Sequence, residues 1–126
     1  MKFHHIGYLT NDLRASSTDF KRLNYKKIKK PIIDNNLKVK IQFLKNKNNI
    51  IELIKPSLNN YGLIKILKKK NYAYHFAYKV DNLEKKIFYL RKKFKLIVNP
   101  TPAKAFNKKR FELFKKKFQV MTELAQ

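Results

Sequence analysis

The chain repeats itself, and a duplicated unit constrains architecture more than any single motif because both copies must bury equivalent faces. Residues 5–13, HIGYLTNDL, align with residues 75–83, HFAYKVDNL, at an offset of 70. Residues 50–53, IIEL, align with residues 121–124, MTEL, at an offset of 71. Two matches in the same order at nearly the same spacing point to duplication rather than chance. Each copy opens on a strand carrying a histidine and passes through an Asn/Asp pair into an amphipathic helix. Each then closes on a strand carrying one glutamate. A further strand precedes each glutamate strand, over Lys38–Lys45 and Lys109–Lys116. Each half therefore reads as strand, helix and three strands.

The local signals refine this outline. Asp81 is the expected N-cap of the second helix, with Glu84 completing a capping box and Leu83, Ile87 and Leu90 on the inward face. The first helix runs from about Asn11, with Leu13, Phe20 and Leu23 inward, and ends at Asn24 in a left-handed conformation. A lysine-rich linker helix covers about Tyr61–Lys70, and Asn71 is expected to end it in the same way. The two prolines of Pro100–Asn107 predict a loop. No low-complexity segment divides the halves, so residues 1–126 are expected to form one domain. Module one covers about 1–56, the linker helix about 57–71 and module two about 72–126.

Composition narrows the function classes. The formal charge of +23 suggests nucleic acid as a partner. Of the 31 basic residues, however, only four are arginine (Arg14, Arg22, Arg91 and Arg110), the residue suited to bidentate base and phosphate contacts. The lysines are spread along the whole chain, and Lys, Asn, Ile, Phe and Tyr fill 69 of 126 positions, the bias of an AT-rich coding sequence. A solvated lysine surface with no specific nucleic-acid partner is the expectation. Cysteine is absent, so disulfides and thiolate metal sites are excluded. No apolar run approaches the ~20 residues of a membrane span, and MKFHHIGYLT lacks a signal-peptide core. A cytoplasmic protein without membrane association is expected.

Strand alternation decides which polar residues share a face. His5 lies with Phe3 and Gly7, His75 with Ala73 and Ala77, Glu52 with Ile50 and Ile54, and Glu123 with Met121 and Ala125. Each half thus contributes one imidazole and one carboxylate from strands that otherwise read as core, and the small neighbours Gly7, Ala73 and Ala77 leave room beside the histidines. His4 falls on the opposite face and is expected to be structural or to support His5. Taken singly, each of the four is better explained as an ordinary strand residue. Their pairing is what favours a site. Two buried carboxylates facing each other repel unless a cation sits between them. His5, Glu52, His75 and Glu123 therefore predict one divalent ion per chain, with nickel, cobalt, zinc and manganese all suited to such donors.

The segments FHHIGYLTNDL, IIELIKP, YHFAYKVDNL and TELAQ together resemble the signature segments of the vicinal oxygen chelate superfamily, the glyoxalase/bleomycin resistance/dioxygenase group. Within it the chain is similar to the methylmalonyl-CoA epimerase and glyoxalase I branch over nearly its whole length, including PTPAKAFNKKRFELF. The resemblance implies an α+β fold in which two βαβββ modules form a cupped, barrel-like mixed sheet around a metal, usually in a homodimer. It places the ligands on His5, Glu52, His75 and Glu123 and makes Glu123 the catalytic base as well. The implied activity is abstraction of a proton next to a carbonyl, by an isomerase or epimerase or by a carbon–sulfur lyase. The implied substrate is a small molecule such as a coenzyme A or glutathione thioester-type adduct. Epimerases of this kind use a second carboxylate, and the strand LKVKIQFL carries no acid, with Lys40 and Gln42 among its polar residues and Glu112 the only other acid in the loop strands. A non-catalytic, small-molecule-binding member of the superfamily is the alternative.

Overall fold

A computed structural model of the chain describes residues 1–106, 110–115 and 121–126, with backbone alone for 98–100, 106 and 110–115. Module one runs β1 (Lys2–Leu9), α1 (Leu13–Arg22), β2 (Lys26–Lys27), β3 (Ile32–Asp34), β4 (Val39–Asn46) and β5 (Asn49–Pro56). Helix α2 (Tyr61–Lys68) leads to β6 (Ala73–Lys79), α3 (Leu83–Leu90), β7 (Lys95–Pro102), a single 3₁₀ turn, β8 (Arg110–Lys115) and β9 (Met121–Ala125). The expected bounds Lys109 and Lys116 of the penultimate strand lie outside the described residues.

All nine strands join one mixed sheet in the order β2-β4-β5-β1-β6-β9-β8-β7, with β3 also pairing β4. The repeat is visible in this order. β1 pairs β5 in parallel, β6 pairs β9 in parallel, and the two first strands pair each other antiparallel at the centre. The sheet curls without closing, so it is a cup with two ends rather than a barrel.

Helices α1 and α3 cover the convex face. Leu13 and Phe20 of α1 pack with Tyr25 against Leu44, Ile51 and Leu53, while Leu83 and Ile87 of α3 pack with Leu124 and Val80. Leu23, expected to face inward, is 63% exposed. At 100° per residue it lies well off the stripe through Leu13, Ser17 and Phe20. The concave face holds Leu9, Val39, Ile41, Phe43 and Ile54, closed at one end by Leu63, Ile66 and Leu67 of α2.

Three expected boundaries move. The α3 N-cap is Asn82, whose side chain accepts from the Lys85 N–H, and not Asp81. It is the repeat-equivalent of Asp12, which caps α1 by accepting from the Ala15 N–H. Asn24 is left-handed as expected (φ 64°), but after α2 the left-handed residue is Lys70 (φ 57°) and not Asn71. Finally, β7 continues through Pro102 into what the prolines predicted as a loop. An edge strand tolerates proline because one row of its N–H groups has no ladder partner to lose.

Candidate metal centre

The register of the four central strands brings the predicted residues together. Gly7 pairs with Glu52 of β5 on one side and with His75 of β6 on the other. Ala77 pairs with His5 of β1 on one side and with Glu123 of β9 on the other. Two adjacent rows of the sheet therefore read glutamate, small residue, histidine, in opposite directions. In each row the long side chains lean toward each other over the small residue. A Cβ built on Gly7 would lie 2.5 Å from both ring nitrogens of His75, so that ring occupies the space a larger residue would fill. Ala77 is buried and plays the equivalent part, whereas Ala73, also expected to make room, is exposed.

All four side chains are buried. His5 Nε2 stands 3.1 Å from both Glu52 Oε2 and His75 Nε2, and 4.0 Å from Glu123 Oε1. His75 Nε2 stands 3.4 Å from Glu52 Oε2 and 3.5 Å from Glu123 Oε2. One donor atom from each residue lies within 4.8 Å of every other. Donors held about 2.1 Å from a shared ion are separated by about 3.0 Å at right angles and about 4.2 Å across it. The observed spacings fall in that range. Glu123 Oε1 is buried with no hydrogen-bond partner among the described residues, which a cation would satisfy. The residues present thus fit a divalent ion.

The two carboxylates differ electrostatically. Burial works to raise Glu52, but the charge of His5 and hydrogen bonds from His5 and His75 outweigh it and hold the carboxyl well below the usual range. Burial and the Glu52 charge push Glu123 up to about 8. Without an ion, the pair accommodates one negative charge readily and the second only at a cost.

Alternation assigned His4 to the far face, yet its ring meets His5 at 2.7 Å between the two Nδ1 atoms. Burial, with the charges of His5 and Lys79 next, holds the His4 imidazole down at about 4. Tyr74 was not singled out from sequence, although it is the repeat-equivalent of His4. Its ring lies edge-on to His75 with centroids 5.2 Å apart. Burial and the charges of Glu123 and Glu52 hold its hydroxyl above the usual tyrosine range.

The polar residues considered for a second base divide three ways. Gln42 is buried and donates to the carbonyls of Lys29 and Phe43, which ties down the break between β2 and β3. Lys40 is exposed on β4. The side chain of Glu112 lies outside the described residues. Asp34, absent from the sequence-based candidates, is buried, and its carboxylate accepts from the N–H groups of Asn36, Leu37 and Lys104. A cavity of about 540 Å³ is walled by His4, Phe43, Ile50, Lys29, Lys79 and Asp81, and His4 and Phe43 both set their rings edge-on to His5.

The model of the glyoxalase/bleomycin resistance protein/dioxygenase superfamily matches residues 4–114, which takes in module one and module two as far as β8 but not β9 with Glu123. The chain belongs to this superfamily. No curated protein sequence matches it. Among solved structures, a hypothetical protein from Bacillus halodurans is 21% identical with a TM-score of 0.85, over 98% of this chain and 92% of that one. A variant of Streptomyces coelicolor methylmalonyl-CoA epimerase in complex with 2-nitronate-propionyl-CoA is 18% identical with a TM-score of 0.84, over 99% and 93%. Methylmalonyl-CoA epimerase from Mycobacterium tuberculosis is 19% identical with a TM-score of 0.79, over 98% and 86%. At these identities the likeness establishes the fold. No described helix is long and apolar enough to cross a membrane.

Proposed function

We propose that the chain is a metal-dependent enzyme that removes a proton from the carbon beside a carbonyl. His5, Glu52, His75 and Glu123 hold one divalent ion, and the reaction is that of an isomerase or epimerase, or of a carbon–sulfur lyase. The observation that carries this reading is the convergence of two buried carboxylates and two imidazoles on the face that also carries the apolar cluster of Leu9, Val39, Ile41, Phe43 and Ile54. When bound, the ion supplies electrophilic polarisation of a substrate carbonyl.

Glu123 is the base. Its Oε1 is buried without a hydrogen-bond partner among the described residues, which leaves that oxygen open to a substrate proton or to the ion. It takes the proton from the substrate carbon and returns it. Glu52, held ionised by the two imidazoles, supplies fixed negative charge. Asp34 is committed to three backbone N–H groups, which favours one-carboxylate proton transfer over a two-base route. The cavity beside His4 and Phe43 has Lys29 and Lys79 and one carboxylate, Asp81, in its wall, a net positive lining that suits an anionic carrier. That favours a coenzyme A or glutathione thioester-type substrate, and the Streptomyces coelicolor epimerase of the same fold is in complex with an acyl-CoA analogue. The same reading makes the chain one domain acting as a homodimer in the cytoplasm.

Solvent-deuterium exchange at the α-carbon, followed by NMR for a panel of acyl-CoA and glutathione adducts with metal-loaded protein, tests the proposal. Exchange with one adduct, lost by about 10²–10⁴-fold in Glu123→Gln, is expected. Exchange that persists in that variant would remove Glu123 from the role of base.

A further inference from the structure

The antiparallel pairing of β1 with β6 is regular except at two places. Between Phe3 and His5 the register advances two residues on β1 for one on β6, leaving His4 as the extra residue. Between Gly7 and Tyr8 it advances one residue on β1 for two on β6, leaving Tyr74 as the extra residue. The two shifts are equivalent under the 70-residue repeat, and each falls immediately before a histidine of the cluster. An extra residue escapes strict alternation, so its side chain is re-aimed. His4 and Tyr74 both use this freedom to lay a ring edge-on against the following histidine, at centroid separations of 5.0 and 5.2 Å.

The two copies differ in what the re-aimed ring offers. His5 Nδ1 is 2.7 Å from His4 Nδ1, a hydrogen-bond distance that requires one nitrogen to carry the proton and the other to accept it. His75 Nδ1 is buried and has no hydrogen-bond partner among the described residues. His5 Nε2, not Nδ1, points at Glu52, His75 and Glu123. A histidine that offers Nε2 to a metal carries its proton on Nδ1, and the acceptor of that proton fixes both tautomer and ring orientation.

We propose that His4 is a positioning residue: its Nδ1 accepts the His5 Nδ1–H, which commits His5 Nε2 to the cluster and makes His5 the orientationally fixed ligand of the pair. His75 has no such support at Nδ1, and its ring packs between Gly7 and the ring of Tyr74. The supporting hydrogen bond is therefore carried by one module and not by its copy. The inference rests on the proposed metal site for its consequence, but the hydrogen bond can be tested without metal.

Two-bond ¹⁵N–¹H spectra of the full-length, metal-free protein read the protonation of each ring nitrogen. A protonated, pyrrole-type Nδ1 is expected on His5 and an unprotonated, pyridine-type Nδ1 on His4. The reverse pattern would overturn the assignment whether or not the protein binds metal. Zn²⁺ titration then measures the consequence. His4→Phe, which keeps a ring but no acceptor, is expected to raise the Zn²⁺ Kd by about 10–100-fold. His4→Asn, whose Oδ1 can take the same proton, is expected to stay close to wild type. Wild-type Zn²⁺ affinity in His4→Phe would reduce His4 to a structural member of the bulge. Should His4→Phe fail to fold, the wild-type spectra still decide the donor. A wild-type protein that binds no Zn²⁺ but shows the expected nitrogen pattern would sink the metal site and leave the hydrogen bond standing.

Discussion

Gly7 shows how closely the four donors are packed. The His75 ring lies where a Cβ on residue 7 would stand, with the carboxylate of Glu52 reaching in from the other side. Gly7→Ala is therefore expected to displace His75, at a cost of about 1–3 kcal/mol in denaturant unfolding and with weakened divalent-ion binding. Wild-type values in both would mean that the ring can sit elsewhere at no cost. The carboxylates make a second prediction, about pH. Glu123 is raised from its ordinary 4.5 to about 8, so between those values the folded metal-free protein holds a proton that the unfolded chain has released. Its stability must then fall as pH rises through that window. Glu52, held low, acts oppositely, and its contribution is lost as pH falls through the acid range. The lowered His4 imidazole makes stability rise with pH up to about 6.5, so equilibrium unfolding of metal-free protein between about pH 6.5 and pH 8 should show the decline due to Glu123 and Glu123→Gln should flatten it. A flat wild-type profile would contradict the raised carboxyl. All four cluster residues were legible in the sequence because each has a partner at the repeat offset. His4 was legible as a support for His5 but not on the correct face, and Tyr74 was not legible, because alternation fails at the register shifts that re-aim them.

The same contrast holds for elements. Periodicity located both module helices and the linker helix, because an apolar stripe must face the sheet whatever the caps do. The caps were less legible. Asp81 with Glu84 matched a capping-box spacing, yet Asn82 holds the Lys85 N–H, as Asp12 holds that of Ala15 one repeat earlier. Asn82→Ala is expected to cost about 1 kcal/mol, whereas Asp81→Ala should stay within about 0.5 kcal/mol. Thermal or denaturant unfolding of the two variants separates them, and the reverse order would restore Asp81 as the cap. The edge strands were harder again. Between β2 and β3 the outer strand of module one is broken, with the Gln42 amide holding the Lys29 carbonyl at the gap, while β7 runs on through Pro102. Neither is set by a periodic pattern, because an edge strand has one ladder to keep and tolerates irregularity on the other side.

At the scale of the whole molecule, duplication explains why the site lies where it does. Pairing of the two first strands places their histidines at the centre of the sheet, and parallel pairing of each with its own last strand sets a glutamate on either side. This order was legible from the two aligned segments and the resemblance they carry. The degree of curling was not, and the sheet ends at β2 and β7 instead of closing into a barrel. Charge says less at this scale, because the lysines are spread along the whole chain. The central claim is that His5, Glu52, His75 and Glu123 act together as one ligand set. Elemental analysis of the purified protein tests it most directly, with Glu52→Gln/Glu123→Gln prepared in parallel. The site requires about one divalent ion per chain in the wild type and its loss in a double variant that remains folded. Stoichiometric metal in the folded double variant would contradict it.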